Sequence, residues 1–126
     1  MSAALDSWDT LVLGLGNLLY ADEGFGVRAV ELFQERYDAP ESVRVMDGGT
    51  QGLFLIPWVS SARSLLIFDA IEFGLEPGEM RIVRGDDVPR FMGVKKVSMH
   101  QTSFMEVLAS ADLAGALPER IALVGV

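Results

Sequence analysis

The stretch TLVLGLGN, residues 10–17, decides the fold class. A short apolar run that ends in glycines is typical of a strand buried on both faces, and the glycines that follow it form turns. A helix is predicted next, over about residues 24–37, because Val27, Val30 and Phe33 fall on one helical face and charged residues on another. The chain therefore opens as a strand followed by a helix.

The same order recurs further along the chain. Strands are predicted at 43–46, 64–69 and 120–125, a less regular helical stretch at 53–60, and a helix that starts at the capping box Ser103–Glu106. The alternating stretch 80–84 predicts a half-exposed strand at a sheet edge. Residues 1–9 are expected to be a loose lead-in and residues 10–126 a single domain. Strand–helix alternation predicts a mostly parallel sheet covered on both faces.

Composition excludes several kinds of chemistry. The chain has 126 residues, half of them hydrophobic, and no cysteine, so disulfides, thiolate catalysis, Cys-based zinc sites and iron–sulfur clusters are ruled out. A net charge of −8 disfavours nucleic acid and anionic membranes as partners. No secretory leader opens the chain, and its apolar runs are too short to cross a bilayer. The expected location is the cytoplasm.

Acidic side chains follow three predicted strands at the point where each strand ends. Glu23 follows the first strand, Asp47 the second and Asp69 the third, and the only histidine, His100, is expected in the loop before the capped helix. Because ligands bind beyond the carboxyl ends of parallel strands, these side chains are expected at one edge. A bound cation relieves the repulsion among crowded carboxylates, and two carboxylates with one imidazole suit a borderline divalent metal.

Each residue also has a simpler interpretation. Glu23 alone fits an acid that stabilises a helix dipole, and Asp47 and Asp69 alone fit turn formers that bond loop amides. His100 alone fits a surface histidine. A nucleotide-binding domain is a weaker alternative, because the loop at 14–16 lacks the third glycine of the dinucleotide fingerprint and no phosphate-binding lysine follows it. No organic cofactor is therefore expected.

Several segments together resemble the signature of the hydrogenase maturation peptidases, the endopeptidases that trim the large subunit of nickel–iron hydrogenases. The resemblance covers nearly the whole chain from residue 11 and keeps the family's order and approximate spacing. It rests on GLGNLL at 14–19, DEGFGV at 22–27, DGGT at 47–50, DA at 69–70, SMHQ at 98–101 and LVGV at 123–126.

The resemblance implies a three-layer α/β/α fold with a twisted, largely parallel, phosphorylase/hydrolase-like sheet. It implies that Glu23, Asp69 and His100 bind the metal and that Asp47 is a further acid of the same cleft. The implied substrate is a nickel-loaded large-subunit precursor, whose short C-terminal extension is removed so that this subunit closes over its metal centre and joins the small subunit. Nickel would then be carried by the substrate, and the protein would be a monomer. Family members usually continue past the last strand into another helix, which this sequence does not contain.

The mechanism follows partly by elimination. Without cysteine, and with a single histidine and no Gly-x-Ser-x-Gly elbow, peptide hydrolysis here is expected to be metal-assisted or of aspartyl type. Asp47 is the candidate general base, unless nickel serves only to position the substrate tail. The alternative function is a non-catalytic nickel-binding or hydrogenase-docking module.

Overall fold

The computed structural model describes residues 8–16, 24–49, 52–70, 79–88 and 99–125. Strand β1 (Trp8–Leu15) is followed by helix α1 (Phe25–Arg36) and strand β2 (Val43–Gly49). A 3₁₀ turn (Gly52–Leu55) leads into the short helix α2 (Ile56–Ser60) and strand β3 (Ala62–Asp69). Strand β4 (Arg81–Arg84), helix α3 (Met99–Leu113) and strand β5 (Arg120–Gly125) complete the described chain.

The five strands form one sheet in the order β2-β1-β3-β5-β4. The pairs β1–β2, β1–β3 and β3–β5 are parallel, and among the described strands only β4 runs antiparallel, beside β5. The predicted edge strand at 80–84 is thus confirmed as β4, with Val83 buried between exposed neighbours. The predicted α/β class with a largely parallel sheet is confirmed.

Helices cover both faces of the sheet, and the alternation of side chains along each strand assigns every residue to one face. One face carries Leu11 and Leu13 of β1 with Leu65 and Ile67 of β3, and it packs against α2 and α3 in the main core. The other face carries Val12, which is buried together with Val27 and other residues of α1. The apolar face predicted for the last helix is confirmed, since four of its residues are buried: Phe104, Val107, Leu108 and Ala111.

Two glycines let the backbones of β1 and α1 approach each other. A Cβ added to Gly14 would overlap the carbonyl oxygen of Gly26 and lie 2.7 Å from Val30 Cγ2. A Cβ added to Gly26 would overlap the carbonyl oxygens of Leu15 and Phe68. Side chains at either position would therefore lift the first turn of α1 off the ends of the central strands.

Several predicted boundaries are wrong. Strand β2 continues through Asp47 to Gly49, and β3 begins at Ala62 rather than at residue 64. The helix expected to start at the capping box Ser103–Glu106 starts earlier, at Met99, so His100 lies in its first turn rather than in the preceding loop. The spacing of a serine and a glutamate three residues apart fits the interior of a helix as well as its start, which explains the error. Strand β1 begins at Trp8, two residues before its predicted start, and Trp8 pairs with Ala62 of β3.

In the part of the chain that the structure describes, no helix is both long enough and apolar enough to span a bilayer.

Candidate functional site at the carboxyl edge of the sheet

Two cross-strand rows define the carboxyl edge of the sheet. In the first row, Gly14 of β1 pairs with Asp47 of β2 on one side and with Phe68 of β3 on the other. One position further along β3, Asp69 pairs with Gly125 of β5, which in turn pairs with Arg81 of β4. Paired residues share a face, so each row presents its side chains to one side of the sheet.

Asp69 is the best-placed of the predicted site residues. It is the last residue of β3, and its side chain is 0% exposed. It is the only charged residue among the buried side chains of the described chain. Alternation puts it on the same face as Ile67, which belongs to the core formed with α2 and α3. A carboxyl group is seldom buried completely unless other groups compensate it, which makes Asp69 a candidate site residue.

His100 lies in the first turn of α3. The helix has 15 residues, so it is about 22 Å long and can traverse the sheet. Only residues 114–119 separate its end from the start of β5 at the opposite edge. The first turn of α3 is therefore directed toward the carboxyl edge, on the face that carries Asp69. The structure describes the backbone of His100 but not its side chain.

Glu23 lies outside the described residues, but the chain that follows it is well placed. Gly24 is the buried N-cap of α1, and its carbonyl oxygen accepts a hydrogen bond of 3.1 Å from the amide of Arg28. The ring of Phe25 packs edge-on against Phe68, with 6.4 Å between their centroids. Helix α1 thus begins over the end of β3. The first turn of α1 holds no acidic residue, and because Glu23 lies outside the described residues its simpler interpretation stays untested.

Asp47 reaches the same edge from the other side of the sheet. Its pairing with Gly14 puts it on the face of Phe68 and α1, and its side chain is exposed. The preceding residue, Met46, packs against the opposite core. Asp47 and Asp69 are therefore brought to one edge, as predicted, but to different faces.

Arg81 was not among the predicted site residues. Because β4 runs antiparallel, its first residue lies at the carboxyl edge, in the row of Asp69 and on the same face. Gly125, which has no side chain, is the residue between them. The sequence shows an arginine at the start of a short edge strand. Its position near the candidate site follows only once the direction of that strand is known.

The structure does not test the predicted metal-binding trio. Among the described side chains, no three His, Cys, Asp or Glu residues come together as a metal-binding group. Glu23 and the side chain of His100 are not among them, so the trio stays a prediction. Its donor set fits nickel, since carboxylate oxygen and imidazole nitrogen both suit borderline divalent ions.

Comparison with known proteins agrees with this architecture. The family described as HycI, hydrogenase maturation protease, matches residues 27–126. The hydrogenase expression/formation protein HupD of Bradyrhizobium diazoefficiens is 57% identical over 115 residues, which are 91% of this chain and 60% of HupD. The hydrogenase 2 maturation protease of Escherichia coli is 41% identical over 117 residues, covering 92% of this chain and 71% of that protein.

A solved structure shows the same fold. The hydrogenase maturating endopeptidase HybD from E. coli superimposes with a TM-score of 0.88 at 39% identity, over 94% of this chain and 73% of HybD. A largely parallel sheet between helical layers, with a buried aspartate at the end of a central strand, defines an α/β protein. The chain belongs to the hydrogenase maturation protease family. It spans 60% of the length of HupD, the first of these relatives.

Proposed function

We propose that this chain is an endopeptidase that removes the C-terminal extension from the nickel-loaded large-subunit precursor of a nickel–iron hydrogenase. Glu23, Asp69 and His100 would engage the nickel that the precursor carries. The observation that carries the proposal is the complete burial of Asp69 at the end of a central strand. Membership of the hydrogenase maturation protease family supplies the reaction and the class of substrate.

The placement of α3 supports the pairing of Asp69 with His100. Both belong to the same side of the sheet, and α3 is directed toward the edge at which β3 ends. The start of α1 over Phe68 brings the chain beside Glu23 to the same strand end. Three separate elements thus converge on the end of β3.

Hydrolysis also needs a base that activates water and a group that stabilises the developing oxyanion. With no cysteine in the chain, water is the simplest nucleophile. Asp47 is the proposed general base, because it is exposed at the same edge and lies on the face opposite Asp69. Nickel bound by the substrate would polarise the scissile carbonyl or hold the tail in place.

The experiment compares nickel-loaded and nickel-free precursor in the presence of the purified chain. We expect the precursor to lose its C-terminal extension only when it carries nickel. Intact-protein mass spectrometry measures this loss. Asp69→Asn should abolish cleavage, while the matched variant Asp112→Asn, at an exposed position in the last turn of α3, should cleave normally. Equal cleavage of both precursors would contradict nickel recognition.

A stable complex with the precursor that is never trimmed would instead favour the non-catalytic docking module. Cytoplasmic location and a monomeric state are part of the proposal. Size-exclusion chromatography with light scattering tests the second of these.

A further inference from the structure

Strand β2 forms one edge of the sheet, and its main-chain pattern is fixed by one hydrogen bond. The amide of Thr10 donates to the carbonyl oxygen of Ser42 at 3.1 Å, and Thr10 pairs with Val43. In a parallel ladder this pattern turns the amides and carbonyls of the even-numbered residues of β2 toward β1. The main-chain groups of Val43 and Val45 therefore point away from the sheet.

Two of these four outward groups are already used within the chain. The amide of Val43 donates to the carbonyl oxygen of Pro40 at 2.9 Å. The carbonyl oxygen of Val45 accepts a long bond of 3.5 Å from Gln34 Nε2, at an exposed position. Within the described chain, the carbonyl of Val43 and the amide of Val45 carry no hydrogen bond.

This remaining pair matches one geometry of strand addition. In a parallel ladder, a single residue of one strand donates to residue i−1 and accepts from residue i+1 of its neighbour. The Val43 carbonyl and the Val45 amide are such a pair around Arg44. An antiparallel strand would instead need both the amide and the carbonyl of one residue, and at each of these valines one of the two is taken. The edge therefore favours an added strand that runs in the same direction as β2.

The surface beside this edge is acidic. Glu31 lies three residues before Gln34 on α1, so it lies on the side of the helix that reaches β2. Asp38 follows the C-cap Tyr37, in the connection between α1 and β2. Glu41 lies in the turn before β2. All three carboxylates belong to exposed residues. Arg44 projects from the other face, where its guanidinium lies 5.2 Å from the ring centroid of Trp58.

We propose that the substrate docks as an extended segment with basic side chains, which adds to the outer edge of β2 parallel to it. Main-chain hydrogen bonds to Val43 and Val45 supply affinity, and the acidic surface selects the charge of the segment. A parallel segment runs toward the carboxyl edge. Its residues upstream of the scissile bond would therefore lie along β2, and the bond itself would lie beyond the strand ends. This inference rests on the proposed function.

Val45→Pro tests the main-chain contact. Proline removes the outward amide of Val45 and no bond to β1, and edge strands tolerate proline where the amide faces outward. With nickel-loaded precursor, we expect KM to rise roughly three- to tenfold, which is the loss of one hydrogen bond, with kcat unchanged. Val45→Ala keeps the amide and is the matched control, so its KM should equal that of the unaltered chain.

Two further measurements do not depend on the folding of the proline variant. In the unaltered chain, hydrogen exchange at the Val45 amide should slow when precursor binds, while exchange at the outward amides of β4 stays unchanged. The double variant Glu31→Gln, Asp38→Asn should raise KM and reduce its dependence on ionic strength. Glu106→Gln, at an exposed position of α3, should do neither.

The outcomes separate the docking inference from the proposed function. Docking at β2 would be overturned if Val45→Pro cleaves nickel-loaded precursor normally and if precursor does not protect the Val45 amide of the unaltered chain. The peptidase function would then remain intact. Protection of that amide by a precursor that is never cleaved would support docking and overturn the peptidase function.

Discussion

Asp47 and Asp69 lie at the same edge of the sheet, but their side chains project from opposite faces. Gly14 pairs with both Asp47 and Phe68, and Asp69 follows Phe68 by one residue, so alternation turns it to the other side. One strand lies between them, and two strand spacings amount to about 10 Å. At that separation the two aspartates are better suited to different roles than to binding one metal together. A ligand must touch the metal, whereas a general base must reach the attacking water.

The first prediction separates these two roles. Asp69→Asn should abolish nickel-dependent binding of the precursor. The loss of affinity should exceed the roughly 10–100-fold that follows when a residue hydrogen-bonded to a metal ligand is replaced. Asp47→Asn should keep nickel-dependent binding and lose about 10²–10⁴-fold in kcat, as expected for a general base. Precursor pull-down and single-turnover cleavage measure the two effects. If both variants lose binding equally, the division of roles is wrong.

The second prediction concerns His100. His100→Ala should abolish nickel-dependent processing and leave the fold intact, because the residue lies in the first turn of α3 and the change leaves the described core positions of that helix, such as Phe104 and Val107, unaltered. The measurement is cleavage of nickel-loaded precursor, with circular dichroism and thermal unfolding as the check on folding. Cleavage at the normal rate by a folded variant would remove His100 from the site.

Much of this architecture could be predicted from local sequence. The apolar run at 10–14 and the strand at 64–69 are confirmed because a strand buried on both faces leaves little choice of residues. The predicted convergence of acidic residues at one edge also needs only the rule that parallel strands end together. The helix start at Met99 was missed because no local signal distinguishes a capping serine from an interior one.

The faces of Asp47 and Asp69 could not be predicted in the same way. They depend on the register between three strands, and a shift of one residue exchanges the faces. Arg81 was missed for a related reason, since its position near Asp69 depends on the direction of β4. Strand direction and register are set by tertiary packing, which a short window of sequence does not contain.

The third prediction concerns the contact between α1 and the central strands. Gly26→Ala should lower the free energy of unfolding by an amount near the upper end of the range of about 1–3 kcal/mol. The added Cβ would overlap the carbonyl oxygens of Leu15 and Phe68, which belong to the backbone and cannot rotate away. Gly26→Ala should also lower processing, since α1 begins over the end of β3, beside Asp69. Urea unfolding and precursor cleavage measure the two effects.

Gly115→Ala is the control for that prediction. Gly115 has a φ of 70°, and an added Cβ there has no heavy atom within 4 Å. The variant should therefore lose about 1 kcal/mol through backbone strain alone and cleave precursor normally. If Gly26→Ala is as mild as this control, the close approach of α1 does not position the site.

The fourth prediction compares two serines at the amino-terminal side of β3. Within the described chain, the buried hydroxyl of Ser64 has no hydrogen-bond partner, whereas the hydroxyl of Ser61 donates to the carbonyl oxygen of Pro57 at 2.8 Å. Burial of an unpaired hydroxyl costs free energy, so Ser64→Ala should raise the free energy of unfolding by about 1 kcal/mol. Ser61→Ala should lower it by about 0.5–1.5 kcal/mol, because a bond at the end of α2 is lost. Neither serine lies near the carboxyl edge, so both variants should cleave precursor normally. Urea unfolding decides the comparison, and a loss of stability in Ser64→Ala would mean that a bound water satisfies that hydroxyl in solution.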